Sequence, residues 1–364
     1  MRYVVCIDWL ALYCEYKESS ADWVGATSDS SDLFDIAPWH YKIEEYGTRH
    51  YKHLCRVSYP NEQHGYDDFA EVQYEPCSNI IGIKSVIVRF VNRMLYRNDF
   101  WELATKFLLD NDFTFRSISR VDICADFNDF ATCSPLSLIQ RFANKELRHV
   151  GRGVGALYFN HGASNGTYGV NYTGLSFGTH SSDARVYLYN KSFELLTQGD
   201  KPWIKDTWKA VGLDSRSVWR LEVSLKSKAC KFKDKTSNEK VTITPERINT
   251  REQLSLIYHT FVRKLFAFVV NRPGITNITR EPRIKLFTGS TSLERAVIRN
   301  VSGSSRLERI LIKALYTMGD TYRGDILKDS EDITQSIAVG IAESTDLTQW
   351  MQDRVDSWQV TTLK

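Results

Sequence analysis

The segment ARVYLYNKSFE, residues 184 to 194, places two phenols between two cations. Alternate side chains of an extended chain point to one side, so Arg185, Tyr187, Tyr189 and Lys191 would form one row with aliphatic residues facing the other way. An unassisted tyrosine, with a pKa of about 10, is a poor nucleophile at neutral pH. Cations beside it would favour the phenolate and would bind the charge of a phosphate. The row therefore predicts a group that attacks a phosphodiester in a strand of nucleic acid.

Two further segments predict strands with a polar face. In RVDICADF, residues 120 to 127, Asp122 and Asp126 share a face, and in VWRLEVSL, residues 218 to 225, Arg220 and Glu222 do so. If the three segments pair in one sheet, their polar faces form one site. Carboxylates brought together repel each other unless a cation lies among them, and oxygen ligands suit Mg²⁺ or Mn²⁺. The alternative is three ordinary surface strands joined by cross-strand ion pairs.

The pattern of the whole chain indicates which elements would position these residues. Short runs rich in Tyr, Val and Ile predict strands at residues 3 to 15, 48 to 58, 67 to 75, 184 to 191 and 217 to 225. Apolar residues at helical spacing predict helices within 85 to 112 (most clearly at Phe100, Leu103 and Phe107), at 135 to 147 and at 251 to 270. The glycine-rich residues 151 to 178 predict a loop and a hairpin. This order predicts an α+β fold, an antiparallel sheet with helices packed on one face.

Length predicts two parts, a core of residues 1–290 and a small helical C-terminal region of residues 291–364. Three helices are expected in the second part, at roughly 305 to 318, 333 to 342 and 346 to 359. This region is a candidate for DNA recognition or dimerisation. Residues 292 to 319 could form two helices about a Gly-Ser turn, which fits a helix-turn-helix, but plain helical packing explains the pattern equally well.

Composition narrows the class of protein. No segment approaches the roughly 18 apolar residues of a membrane helix, and MRYVVCIDWL reads as a first strand because Asp8 interrupts its apolar run. Seven scattered cysteines without a C-x-x-C pair predict a reducing cytoplasm. Residues 226 to 300 hold 16 Lys and Arg against 6 Asp and Glu, with aromatic residues among them. Such a tract could bind a polyanion, or it could be a solvated face that balances acidic segments elsewhere.

The order of the motifs resembles the Rep-trans family, the rolling-circle replication initiators of small plasmids and some phages, with related relaxases of integrative elements. The resemblance spans roughly residues 3 to 290. It lies in an early IDWL, then SRVDICADF, then GLSFGTHSSDARVYLYNKSFE, then WRLEV. It implies a Rep nuclease-like core that nicks one DNA strand at an origin, becomes linked to the 5′ phosphate through tyrosine, frees a 3′ hydroxyl and later rejoins the strand.

The resemblance also implies roles for particular residues. Tyr189 matches the nucleophile, and Lys191 and Glu194 follow it. Asp122, Asp126 and Glu222 match the acidic positions that would serve Mg²⁺ or Mn²⁺, with Glu194 as a further ligand. Arg185 and Arg220 are the remaining catalytic candidates. The implied partners are origin DNA, single-stranded or extruded as a hairpin, a host helicase and a second copy of the chain, with no membrane.

The sequence departs from the family at one position that matters. The family usually has arginine two residues before its tyrosine, whereas Tyr187 occupies that position here and Arg185 precedes it by two. Tyr187 is therefore a second candidate nucleophile. No His-x-His motif and no Walker motif are present, so no ATPase or helicase activity is expected.

Three other functions fit the same residues. A conjugative or mobilisation relaxase of this family would use the same chemistry. A non-catalytic DNA-binding protein would stack its phenols on bases and pair its carboxylates with cations. A metal-dependent hydrolase would use water without a covalent step. Covalent capture of DNA on tyrosine would separate the last two from a nicking enzyme.

Overall fold

The computed structural model describes residues 1–17, 33–36, 38–61, 65–78, 84–151, 155–164, 167–179, 181–234, 240–275, 277–288 and 296–297. All of these residues belong to one compact unit, Met1–Val301. The three predicted C-terminal helices lie outside the described residues, so the division at residue 290 stays a prediction.

Strands dominate the described part of the chain. In chain order they are β1 Tyr3–Tyr16, β2 Leu33–Ile36, β3 Trp39–Ile43, β4 Tyr51–Asn61, β5 Gly65–Pro76, β6 Ser85–Phe90, β7 Phe113–Phe127, β8 Leu147–His149, β9 Gly155–Ser164, β10 Thr167–Phe177, β11 Ala184–Asn190, β12 Trp219–Lys226, β13 Lys231–Asp234, β14 Lys240–Thr242, β15 Phe268–Val270 and β16 Ala296–Val297. Eleven of them form one antiparallel sheet in the order β2-β3-β4-β5-β6-β1-β7-β12-β11-β10-β9. Two small sheets, β14-β13-β16 and β15-β8, accompany it.

The helices in the described part are short. They are α1 Phe100–Asp110, α2 Pro135–Ala143, α3 Lys191–Gln198, α4 Pro202–Val211, α5 Pro245–Ile248 and α6 Arg251–Leu265, with 3-10 turns at Met94–Tyr96 and Ile278–Arg280. No described helix is long and apolar enough to cross a membrane.

Alternation along the strands separates a buried face of the sheet from a polar one. On β7 the apolar residues Val121, Ile123 and Ala125 are fully buried, and α6 packs over this face with Tyr258 and Phe261. The α+β fold with an antiparallel sheet is therefore confirmed. At one end, α4 reaches the polar face as well.

Two predicted helices extend too far. Ser85–Phe90 is strand β6, because its β-branched residues alternate between burial and partial exposure and pair with β1 and β5. Helix α6 ends at Leu265, after which Phe268–Val270 forms β15 and pairs with β8. Both stretches are apolar enough to fit a helix period, so only pairing with neighbouring strands decides their structure.

Candidate functional site

The three strands that carry the sequence motifs are neighbours in the sheet. Strand β12 lies between β7 and β11, so the predicted pairing is confirmed. In the register, Arg220 lies opposite Asp126 on one side and Tyr189 on the other, and Glu222 lies opposite Tyr187. Directly opposed residues share a face of a sheet. The polar residues of the three motifs therefore line one surface.

Tyr189 and Glu222 make the central contact of this surface. The Tyr189 hydroxyl donates a hydrogen bond to Glu222 Oε2 at 3.1 Å. Burial, and then the negative charge of Glu222, raise the pKa of Tyr189 well above its usual value, although Arg220 opposes the shift. The cations that the sequence places near Tyr189 therefore lower its pKa by less than burial raises it, and the phenol is protonated at neutral pH.

Glu222 is the carboxylate best placed to remove that proton. Burial raises its pKa to about 7, and the nearby charges of Asp122 and Asp8 add to the shift. Arg220 and Lys191 act in the opposite direction. A carboxylate with a pKa near neutrality is suited to general base catalysis.

Lys191 lies outside β11, contrary to the strand prediction of 184 to 191. Asn190 caps α3 by accepting a hydrogen bond from Phe193 N at 2.9 Å, so Lys191 is the first residue of that helix. Its backbone N–H donates to Val218 O at 2.9 Å, which ties the start of α3 to the segment before β12. The side chain is 1% exposed, forms an ion pair with Glu194, and has Nζ 5.5 Å from the ring centroid of Tyr189.

Arg220 has a different position from the one expected of a catalytic residue. Its side chain is completely buried, with Nε 2.6 Å from Asp126 Oδ1 and Nη2 2.7 Å from Asp126 Oδ2. It also donates to Asp8 and, at 3.1 Å, to Tyr96. Trp208 of α4 donates to Asp126 at 2.7 Å. Arg220 and Asp126 thus form a buried anchor beside Tyr189, on the same face of the sheet.

Asp8 belongs to the site but was missed as a site residue in the sequence. A β-bulge in β1 between Ile7 and Trp9 changes the register at this point. Asn92 and Tyr96 both donate to its carboxylate, each at 3.1 Å. Although burial opposes the shift, the Arg220 charge holds the pKa of Asp8 below its usual value. The signal was available, since Asp8 is a carboxylate that interrupts the apolar first half of β1.

Tyr187 stacks on Tyr189. The ring centroids are 4.7 Å apart with an interplanar angle of 26°. Tyr158 meets Tyr187 edge-on at 5.1 Å, and Arg185 Cζ lies 5.5 Å from its ring centroid. Burial raises the pKa of Tyr187, with Tyr158 adding to the shift and Arg185 opposing it. The bond to Glu222 distinguishes Tyr189 from this second phenol.

The four predicted metal ligands do not form a metal site as their side chains lie. Asp122 accepts two hydrogen bonds from Arg120, at 2.9 and 2.5 Å, while Asp126 and Glu194 pair with Arg220 and Lys191. Within the described ranges, no three His, Cys, Asp or Glu side chains are arranged to hold a metal ion. Binding of Mg²⁺ or Mn²⁺ by these four residues therefore stays a prediction.

Comparison with known proteins gives weak structural similarity, without a match in sequence. No family model and no curated protein matches the chain. A solved structure described as a rolling circle replication initiator protein from Geobacillus stearothermophilus is 14% identical, covers 78% of this chain and 92% of its own, and has a TM-score of 0.44. A similarity at this level carries no argument about the chemistry of the chain.

Proposed function

We propose that this chain nicks and rejoins one strand of DNA through Tyr189, as an initiator of rolling-circle replication. The observation that carries the proposal is the 3.1 Å hydrogen bond from the Tyr189 hydroxyl to Glu222, on a surface built by three adjacent motif strands. The ordered motifs that resemble the Rep-trans family support the choice of substrate.

The proposed reaction is a transesterification. As Tyr189 Oη attacks the phosphorus, the bond from phosphorus to the 3′ oxygen breaks and the phenolic proton moves to Glu222 Oε2. The 5′ end is left as a phosphotyrosine ester, and the departing 3′ oxygen takes a proton from water. Rejoining is the reverse reaction: the 3′ hydroxyl attacks the phosphorus and gives its proton back to solvent, while the bond from phosphorus to Tyr189 Oη breaks and the phenol takes the proton from Glu222.

Cations beside the phenol would bind the phosphate. Lys191 and Arg185 lie next to the two tyrosine rings, and positive charge in a partly buried site stabilises the charge that develops during phosphoryl transfer. The anchor of Arg220 and Asp126 keeps the strand carrying Tyr189 in place. Pre-organised charge of this kind needs little rearrangement during the reaction.

Covalent capture tests the proposal. The protein is incubated with a pool of randomised single-stranded oligonucleotides and Mn²⁺, and the mixture is separated by denaturing gel electrophoresis. We expect a slower protein band that Tyr189→Phe abolishes, with a fall of at least about 100-fold, because the phenylalanine has no oxygen to attack phosphorus. Peptide mapping should place the nucleotide on Tyr189.

Tyr187→Phe is the matched control. It removes the neighbouring hydroxyl on the same strand and face, keeps the stacked ring, and should leave the covalent band in place. If Tyr187→Phe abolishes the band and Tyr189→Phe does not, the nucleophile is Tyr187. If neither the wild-type protein nor Tyr187→Phe forms a band, the nicking proposal is wrong.

A DNA-binding protein without chemistry is the second candidate. The parallel stack of Tyr187 on Tyr189 and the raised pKa of both phenols favour it, because such rings can stack on bases. This function predicts oligonucleotide binding that both Tyr→Phe variants retain, and no covalent band. A hydrolase that uses water predicts cleavage without a band.

The nicking proposal carries expectations about partners. Origin DNA is the substrate, a host helicase and a second copy of the chain are candidate partners, and the reaction takes place in the cytoplasm. A conjugative relaxase would use the same residues, so the position of the gene beside an origin of replication or of transfer separates the two roles.

A further inference from the structure

A row of cations crosses the polar face of the sheet, beginning beside the site. Successive residues lie directly opposite one another across β12, β7, β1, β6, β5, β4 and β3. They are Lys226, Arg120, Ala11, Arg89, Glu71, Arg56 and Lys42, and these seven positions are called the basic row. Five are cationic, and the only acid among them is Glu71.

The basic row is on the open side of the sheet. Arg120 and Arg56 are 41% and 56% exposed, and Lys226 and Lys42 are exposed too. Most residues that flank the row along the same strands point to the other face and are buried. Those that are fully buried include Tyr41, Cys55, Val57, Val72, Val88 and Val121. Each cation therefore has one fixed direction, away from the core.

Trp9 organises the end of the row nearest the site. The β1 bulge brings Trp9 opposite Asp122, on the same face as the row. The guanidinium carbons of Arg89 and Arg120 lie 4.7 and 4.8 Å from its ring centroid. Because the two arginines come from the strands on either side of β1, the indole holds both in position, and less side-chain entropy is lost when a ligand binds.

Carboxylates pair with the three arginines of the row. Arg120 bonds Asp122, Arg89 bonds Glu71, and Arg56 bonds Glu44. A paired guanidinium still has further N–H donors, since it carries five, and the pairing orients them.

The dimensions of the row suit a nucleic acid strand. Six steps between neighbouring strands, at about 4.8 Å each, give a length of about 29 Å. A stacked DNA strand has a phosphate about every 3.4 Å, so roughly eight nucleotides could follow the row. Along β7, Arg120 is four residues from the level of Glu222, which is about 13 Å.

We propose that the basic row is the track for a single-stranded DNA segment that adjoins the cleaved phosphate. The inference rests on the proposed function, because the site at its end sets the substrate class. Lys226 and Arg120 contact the phosphates nearest the cut, and Arg56 and Lys42 contact those farthest from it. A row of cations that is one residue wide fits one phosphate backbone better than two.

Binding of oligothymidylates tests the track without requiring cleavage. Fluorescence anisotropy compares oligomers of about 6 and about 24 nucleotides over a range of salt concentrations. The variant is Lys42→Ser with Arg56→Ser, far from Tyr189. We expect it to bind the long oligomer about tenfold more weakly and to lower the salt slope by about 1.4, since each phosphate contact contributes about 0.7. Binding of the short oligomer should be unchanged.

A matched control keeps the number of charges equal. Lys106→Ser with Arg141→Ser removes two ion-paired cations from α1 and α2, which pack on the other side of the sheet. It should bind both oligomers as the wild-type protein does. Circular dichroism and thermal melting check that both double variants are folded.

The outcomes separate the track from the nicking reaction. If the row variant binds the long oligomer as tightly as the wild-type protein does, or if the row variant and the control weaken its binding equally, the track is wrong. If the wild-type protein forms the covalent band but binds the long and the short oligomer equally well, the proposed function stands and the track is wrong. If the wild-type protein prefers the long oligomer, the row variant loses this preference and no covalent band forms, the track stands and the nicking function is wrong.

Discussion

Tyr189 is a nucleophile only if its proton is removed during attack. Burial raises the pKa of this phenol, so positive charge nearby cannot by itself produce the phenolate at neutral pH. Glu222 accepts its hydrogen bond and has a pKa of about 7, raised by burial. The proposed base and the proposed nucleophile are therefore adjacent, on neighbouring strands.

The Glu222→Gln variant tests the role of the base. Glutamine keeps the shape of the side chain and an oxygen that accepts the Tyr189 hydrogen bond, but it cannot take the proton. We expect formation of the covalent band to slow by about 100- to 10,000-fold. The rate is measured in single-turnover assays with an excess of enzyme.

Stability shows whether that variant is folded. At pH 8 it should be at least as stable as the wild-type protein, because it no longer carries a buried carboxylate that resists ionisation. The control is Glu15→Gln, because Glu15 is a sheet carboxylate that is paired with Arg116 and lies far from Tyr189. This variant should nick DNA at the wild-type rate. If Glu222→Gln nicks at the wild-type rate, Glu222 is not the base.

At the scale of elements, the junction of β11 and α3 determines where Lys191 lies. A strand continuing through residue 191 would turn Lys191 outward in the row of Tyr187 and Tyr189. The Asn190 cap instead starts a helix, and Val218 O accepts the N–H groups of Lys191 and Ser192 at 2.9 and 3.1 Å. Lys191 is thereby buried against the Tyr189 ring.

Asn190→Ala tests this junction. Loss of the cap should lower the free energy of unfolding by about 1 kcal/mol, measured by urea denaturation. It should also slow formation of the covalent band, because the first turn of α3 carries both Lys191 and Glu194. Asn190→Ser restores a capping oxygen and should recover both properties. Equal activity in Asn190→Ala and the wild type would show that the cap does not position Lys191.

At the scale of the whole molecule, the packing of α6 on the sheet makes stability depend on pH. His259 of α6 is buried, and its Nε2 lies 3.1 Å from the Tyr3 hydroxyl on β1. Burial lowers the pKa of His259 to about 4. The unfolded chain, with a histidine pKa of about 6.5, binds a proton that the folded chain excludes. The stabilisation that neutral His259 contributes to the folded state is therefore present above pH 6.5 and is lost as the pH falls towards 4.

The size of this effect can be measured by chemical denaturation. Between pH 7.5 and pH 5 the His259 contribution to the free energy of unfolding should fall by about 2 kcal/mol. The His259→Gln variant has no titrating group at this position. Over the same pH interval its free energy of unfolding should therefore fall by about 2 kcal/mol less than that of the wild-type protein. Equal pH dependence in the two proteins would show that folding leaves the pKa of His259 unchanged.

The sequence by itself determined the strands that matter and their polar faces, because alternation with period two is a local property that needs no partner. It placed Asp122, Glu222 and Tyr189 on faces that the sheet then brings together. Residues 85 to 90 show the limit, since their apolar run fits either period and only pairing with β1 and β5 makes them a strand.

Tertiary structure alone decided how each charged side chain is used. Asp126 and Arg220 carry the same local signal as Asp122 and Glu222, yet burial against Trp208 and Tyr96 makes them an anchor. Asp8 joins the site only through a bulge, and the basic row exists only because six strand registers align. The pKa of Tyr189 was likewise decided by folding, since the free energy of a charge depends on how much water surrounds it, and no spacing of residues along the chain reveals that.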